Sequence, residues 1–136
     1  MEKLTLTLGL TIFGLLGIIH LFYTFLTDKF APLGINVKKA MLSTSPRITK
    51  QTDMWRAWIG FNASHSLGLI GFAVIYLYLS IVHFQLIVSS LVLSTFPVIV
   101  SISYLLLAQK YWFKIPFIGI AISLLCFSVF AWLANF

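Results

Sequence analysis

Two histidines lie inside apolar segments of this sequence, and each has polar neighbours at helical spacing. His20 lies in the first apolar segment, and His65 lies in the second, where Trp58, Asn62 and Ser66 fall on its helical face. An imidazole can give or take a proton near neutral pH. Polar groups inside a membrane segment are costly, which favours a functional role. The sequence therefore predicts a polar site that contains both histidines.

A third apolar segment carries polar groups on one helical stripe. A helix rises 1.5 Å per residue, so each histidine lies roughly 9–14 Å from the end of its segment that adjoins the loop over residues 27–55. Ser101 and Tyr104 of the stripe lie at a similar depth. We expect the stripe to face the interior of a helix bundle; it consists of Ser90, Ser94, Pro97, Ser101 and Tyr104. The candidate catalytic residues are His20, His65 and Tyr104. The candidate ligand-binding residues are Arg56, at the entrance, with Trp58, Asn62, Ser66 and Ser101.

Hydropathy predicts the elements that must position these residues. The chain has 136 residues, of which 60% are hydrophobic and 9% charged, and its mean hydropathy is +1.04. Four apolar segments are each long enough to cross a bilayer, which takes about 20 residues. They cover residues 4–26, 56–82, 85–107 and 113–135. The pattern predicts an all-α integral membrane protein, a single antiparallel four-helix transmembrane bundle over residues 1–136, with no separate soluble domain.

The connection over residues 27–55 is long for a helical bundle. Asn36 can cap a short helix that runs to Leu42, and we expect this helix to lie at the membrane interface. Thr52 or Asp53 is expected to cap the second span.

Charge indicates the topology. The net charge is +6, and eight of the nine basic residues lie in or beside the first and third connections. Basic loops stay in the cytoplasm, so the loop over residues 27–55 is predicted to be cytoplasmic and both termini non-cytoplasmic. In a membrane protein this charge indicates orientation, and no nucleic-acid partner is expected.

Small residues form a second stripe on the second span, nearly opposite the polar one. Gly60, Ser64 and Gly68 recur every fourth residue. Such a stripe lets another helix approach closely in lipid. We expect it to contact a helix of this chain, a second copy of it, or a partner subunit.

The stretch W-R-A-W-I-G-F-N-A-S-H-S-L-G, with H-L-x-Y-T-F in the first span, resembles an uncharacterised family of small four-span bacterial membrane proteins. The resemblance covers about the first half of the chain. It implies a multi-pass protein of the bacterial inner membrane, and it brings no activity, cofactor or catalytic role.

Three functions remain open at this point. In the first, the polar site is a pocket that binds a small amphiphile, such as an isoprenoid, a quinone or a lipid, with or without acid–base catalysis. In the second, the protein is an accessory or assembly subunit of a larger membrane complex. In the third, His20 and His65 are the axial ligands of a b-type haem. The first is favoured, with no cofactor.

The only cysteine is Cys126, and no carboxylate lies inside a span, so a bare zinc or iron ion would be under-coordinated.

Overall fold

The computed structural model describes all residues from 1 to 136, and every regular element in it is helical. The helices are α1 (Glu2–Leu26), α2 (Ile35–Ser43), α3 (Met54–Val82), α4 (Phe84–Val88), α5 (Leu91–Tyr111) and α6 (Lys114–Asn135). Four of them, α1, α3, α5 and α6, are long and apolar enough to cross a membrane. The predicted all-α architecture with four long apolar helices is confirmed, and the protein is a small multi-pass membrane protein.

The chain forms two compact units. We call residues 17–68 the histidine unit; it holds the end of α1, the long loop with α2, and the first half of α3. We call residues 1–16 and 69–136 the bundle unit; it holds the start of α1, the second half of α3, and α4, α5 and α6.

All four long helices meet in the bundle unit around the ring of Phe13 on α1. The ring centroids of Phe72 on α3, Tyr104 on α5 and Phe127 on α6 lie 5.9, 5.9 and 5.5 Å from it. Phe13 and Phe127 are fully buried. Tilted and edge-on aromatic pairs at these separations add stability beyond the area that they bury. This aromatic cluster forms the core of the bundle unit.

Glycines allow α1 to pack closely in the bundle unit. A Cβ atom added at Gly9 would lie 2.5 Å from Cε1 of Phe127, and one at Gly119 would lie 3.0 Å from a methyl carbon of Leu16. An ordinary carbon–carbon contact is about 3.5–4.0 Å. Gly9 is therefore required by the approach of α1 to the buried ring of Phe127 on α6, whereas a side chain at Gly119 would need Leu16 to shift by a few tenths of an ångström.

The proline inside α5 is accommodated by a tyrosine of α3. In a regular helix the carbonyl of Leu93 would accept from the amide of residue 97, but Pro97 has no N–H to donate. Tyr76 Oη donates to that carbonyl at 3.2 Å, and Tyr76 is almost completely buried. The side chain thus replaces the hydrogen bond that the proline removes, as membrane helices with prolines require.

The interior position of the polar stripe on α5 is also confirmed. Ser94, Pro97 and Ser101 are buried, while Tyr104 is half-buried. Buried serines donate to carbonyls of their own helix, as Ser94 does to Leu91 at 3.1 Å. These hydroxyls therefore satisfy local backbone groups and let neighbouring helices approach.

Two predicted helix starts are wrong, and one is confirmed. The third span begins at Leu91 rather than residue 85, because Ser90 is its N-cap and its hydroxyl accepts from the amide of Leu93 at 3.3 Å. Asn36 does not cap α2; the N-cap is Gly34, with no side-chain hydrogen bond. Asp53 does cap α3, since its Oδ1 accepts from the amide of Arg56 at 2.8 Å.

Candidate functional site

A hydrogen bond between two helices forms the centre of the histidine unit. His20 Nε2 and Asn62 Oδ1 are 3.0 Å apart, although the two residues are 42 positions apart in sequence. His20 lies two turns before the end of α1, and Asn62 lies in the third turn of α3. His20 is half-buried and Asn62 is almost fully buried. The predicted proximity of these two residues is confirmed.

The orientation of the Asn62 amide follows from its second hydrogen bond. Asn62 Nδ2 donates to the backbone carbonyl of Trp58 at 2.8 Å. A carbonyl can only accept, so the amide nitrogen must face Trp58 and the amide oxygen must face His20. An amide oxygen can likewise only accept, so His20 Nε2 carries the hydrogen.

His65 lies beside this pair. Its ring centroid is 5.4 Å from that of His20, and the ring of Phe61 stacks at 6.3 Å. The two imidazoles are therefore on one side of the unit, as the matched depths predicted. Ser66, the next residue, is fully buried and donates its hydroxyl to the carbonyl of Asn62 at 2.9 Å. Its hydroxyl therefore supports the helix that carries Asn62.

Phe30 belongs to the site and was missed by the sequence analysis. Its ring centroid lies 4.5 Å from that of His20, and its carbonyl accepts from Trp58 Nε1 at 3.0 Å. Phe30 is the only aromatic residue between α1 and α2. This isolated aromatic residue in a loop was the only sequence feature that could have indicated its place in the site. Trp58 thus fixes the loop, and the loop places Phe30 on the imidazole.

The first turn of α3 carries the basic residue that was predicted at the entrance. The side chain of Arg56 is 76% exposed and lies 3.6 Å from the carboxylate of Asp53. An exposed ion pair of this kind contributes little to stability. On the same turn, the ring of Trp55 is contacted by Lys38 of α2, whose Nζ lies 4.7 Å from the ring centroid. This cation–π contact holds α2 against the start of α3.

Two predicted site residues, Ser101 and Tyr104, lie in the bundle unit. Ser101 is fully buried and donates to the carbonyl of Val98 at 3.0 Å. The ring of Tyr104 packs against Trp112 at 6.2 Å as well as against Phe13. Both side chains thus contribute to the interior of that unit, and their place in one cavity with the histidines stays a prediction.

Two surface grooves are open between α5 and α6, one at each end of the helix pair. The groove beside Trp132 and Asn135 has a volume of about 370 Å³, and the groove beside Trp112 and Phe117 has a volume of about 270 Å³. Neither groove is lined by a predicted site residue. The histidine site is thus defined by its hydrogen bonds and ring contacts.

The small-residue stripe of α3 is exposed. Gly60, Ser64 and Gly68 all face outward, and a Cβ added at Gly60 would have no heavy atom within 4 Å. Of the contacts expected for this stripe, one with another helix of this chain is not made at Gly60. Close packing is instead seen at Gly9 and Gly14 on α1 and at Gly119 on α6. A contact between the α3 stripe and a partner stays a prediction.

The predicted haem ligand His20 is engaged in a hydrogen bond through Nε2. The chain has no group of three or more His, Cys, Asp or Glu side chains that could hold a metal ion. His20 Nε2 is engaged by Asn62 Oδ1, so ligation of a haem iron through that nitrogen would require this hydrogen bond to break.

The four predicted site residues that the structure brings together are His20, Trp58, Asn62 and His65, with Phe30 added. They can exchange protons and form hydrogen bonds beside aromatic surfaces. Comparison with known proteins finds no matching family model, no matching curated protein and no matching solved structure.

Proposed function

We propose that this membrane protein binds the polar head of a small amphiphile, an isoprenoid, a quinone or a lipid, at His20, Asn62 and His65. The observation that carries the proposal is the His20–Asn62 hydrogen bond with the His65 ring 5.4 Å from His20. Three polar side chains inside membrane-spanning helices are costly. Their grouping at one place therefore favours a role in binding.

The surroundings suit a ligand with an apolar tail. Phe30 covers His20, and the side chains of Trp58 and Phe61 are 40% and 65% exposed. Ligand sites are commonly apolar and aromatic with a few polar groups that orient the ligand. The imidazoles would bind the head, the aromatic rings would contact the tail, and the exposed Arg56 is available to a phosphate or carboxylate at the membrane surface.

The same geometry is compatible with acid–base catalysis. An imidazole held by one nitrogen can transfer a proton through the other. Binding is the minimum function proposed, and catalysis would be an additional property of the same residues.

We further propose the orientation and location. Lys29, Lys38, Lys39, Arg47 and Lys50 all lie in the loop between α1 and α3, so the positive-inside rule places this loop in the cytoplasm and the histidines in the cytoplasmic leaflet. The resemblance of the Trp55–Gly68 stretch supports the bacterial inner membrane as the location.

A second function is favoured by a different observation. Gly60, Ser64 and Gly68 are all exposed, and a Cβ added at Gly60 would have no heavy atom within 4 Å. A helix of a second copy or of a partner subunit could pack there. This supports the role of an accessory or assembly subunit. A bis-histidine haem is less favoured, because His20 Nε2 is already bonded; an absorption spectrum of the purified protein, with or without a Soret band, tests it.

Ligand binding is tested with the purified protein in detergent. Lipids that co-purify are identified by mass spectrometry, and dissociation constants are measured for farnesol, decylhydroquinone and dioleoylglycerol. His65→Ala is expected to weaken binding at least tenfold while leaving the helical circular dichroism spectrum unchanged. His83→Ala is the matched control, because His83 is an exposed histidine outside the site. Equal binding by wild type, His65→Ala and His83→Ala would show that the histidine site is not the binding site.

A further inference from the structure

The hydrogen bonds of Asn62 determine which nitrogen of His20 faces a ligand. Because Asn62 Nδ2 is used by the carbonyl of Trp58, Asn62 Oδ1 accepts from His20 Nε2. In a neutral imidazole only one nitrogen carries hydrogen, and the other is an acceptor. His20 Nδ1 is then a hydrogen-bond acceptor with a free lone pair.

The surroundings of His20 favour the neutral ring. The chain has three acidic residues, and its one ion pair joins Arg56 to Asp53. No carboxylate therefore contacts His20. A charged side chain without a partner is strongly disfavoured inside a membrane-spanning helix. Asn62 is an uncharged acceptor and does not compensate a positive charge.

His20 Nδ1 has no hydrogen-bond partner. The only side-chain hydrogen bond of His20 is the one through Nε2, and His20 is half-buried. No fully buried side-chain nitrogen or oxygen in the protein lacks a hydrogen-bond partner, so Nδ1 is not fully enclosed. The site therefore presents an unpaired acceptor beside the ring of Phe30 and 5.4 Å, centroid to centroid, from the ring of His65.

We propose that the ligand of this site is a hydroxyl-bearing amphiphile whose O–H group donates to His20 Nδ1. A prenol or a hydroquinone meets this requirement, and the corresponding aldehyde or quinone does not. A carbonyl oxygen has no hydrogen to donate to Nδ1, so Nδ1 would keep no partner. This inference depends on the proposed function, since it names the class of the amphiphile bound at the same site.

Matched pairs of ligands test the inference. Dissociation constants are measured for decylhydroquinone against decylquinone, under reducing and oxidising conditions respectively, and for farnesol against farnesal. The hydroxyl member of each pair is expected to bind roughly tenfold more tightly, or better, because the carbonyl member leaves a polar group unpaired. Equal or tighter binding of the carbonyl members overturns the inference and leaves the proposed function standing. Binding of neither member overturns both.

Asn62→Asp is expected to change the preference of the site for hydroxyl over carbonyl ligands. A carboxylate at position 62 loses the hydrogen bond to the Trp58 carbonyl. It still accepts from His20 Nε2, and it stabilises the protonated imidazole, in which Nδ1 becomes a donor. The preference for hydroxyl ligands should then fall at least threefold or reverse. Asn62→Asp that folds, binds and keeps the full wild-type preference would contradict the mechanism.

The tautomer of His20 can be read without any ligand. Nuclear magnetic resonance of protein labelled with ¹⁵N-histidine distinguishes the two neutral tautomers and the imidazolium, and His20→Gln assigns the signal. The neutral ring with hydrogen on Nε2 is expected. A His20 signal with hydrogen on Nδ1 alone, or on both nitrogens, would overturn the inference even if ligands bind.

Discussion

The hydrogen bond from Tyr76 to Leu93 makes a prediction that can be measured as a coupling energy. Tyr76→Phe removes only the hydroxyl group, which donates to the carbonyl that Pro97 leaves without a helical partner. Tyr76 is 5% exposed, so water cannot readily replace the donor. A buried unpaired polar group costs about 1–3 kcal/mol, while measured hydrogen bonds between membrane helices average about 0.6 and reach about 1.7 kcal/mol. We expect Tyr76→Phe to lower the free energy of unfolding by about 1–1.5 kcal/mol.

The cost of Tyr76→Phe should be smaller in a Pro97→Ala background, because alanine has the amide N–H that can donate to the carbonyl of Leu93. Proline removal has its own effect on packing, since Pro97 is fully buried, so the comparison needs a double-mutant cycle. In the Pro97→Ala background Tyr76→Phe should cost less than about 0.5 kcal/mol, since the carbonyl keeps its helical partner. The coupling energy between the two positions should be about 1 kcal/mol.

The measurement is reversible unfolding in mixed micelles by increasing the fraction of dodecyl sulfate, followed by circular dichroism. Tyr78→Phe is the control, because Tyr78 lies on the same helix and is 57% exposed with no hydrogen bond to lose. Its cost should be near zero. If Tyr76→Phe costs the same in both backgrounds, or no more than Tyr78→Phe, the Tyr76 hydroxyl does not substitute for the missing amide.

Two further predictions concern packing and topology. In the same unfolding assay, Gly9→Ala should be less stable than Gly60→Ala by about 1–3 kcal/mol. Both changes gain the same helix propensity, but only the carbon added at Gly9 would lie 2.5 Å from the Phe127 ring. Equal stabilities would refute the close packing of α1 on α6. The topology is tested in the Cys126→Ser background with a membrane-impermeant thiol reagent on intact cells. Lys39→Cys should be protected from the reagent, and Phe136→Cys should react with it. Labelling of Lys39→Cys alone, or equal labelling of both variants, would refute the orientation.

The long helices depend mostly on local sequence, which is why they could be predicted, whereas only one of the three predicted helix starts is confirmed. Long apolar runs predict membrane-spanning helices by length and hydropathy, and four were found where four were expected. Asp53 was recognised as a cap because capping involves residues three positions apart. Ser90 was missed as a cap because the apolar run continues on both sides of it, so hydropathy alone showed no break there.

The site depended in part on helical periodicity and in part on tertiary contacts. Depth and helical face were enough to pair His20 with Asn62 and His65, because each is fixed by the position of the residue along and around its own helix. The same reasoning could not find Phe30, since an irregular loop has no period from which to place a side chain. Its position over His20 is decided by the hydrogen bond between its carbonyl and Trp58.

Helix–helix packing was decided by the tertiary structure alone. Gly60, Ser64 and Gly68 on α3 had the spacing of a packing surface, but the close contacts are made by Gly9 with Phe127 and by Gly119 with Leu16. Glycine spacing on one helix shows where an approach is sterically possible. Which stripe is used depends on the rotation and register of all four helices, and these are set by large side chains such as Phe13 that must fill the space between them.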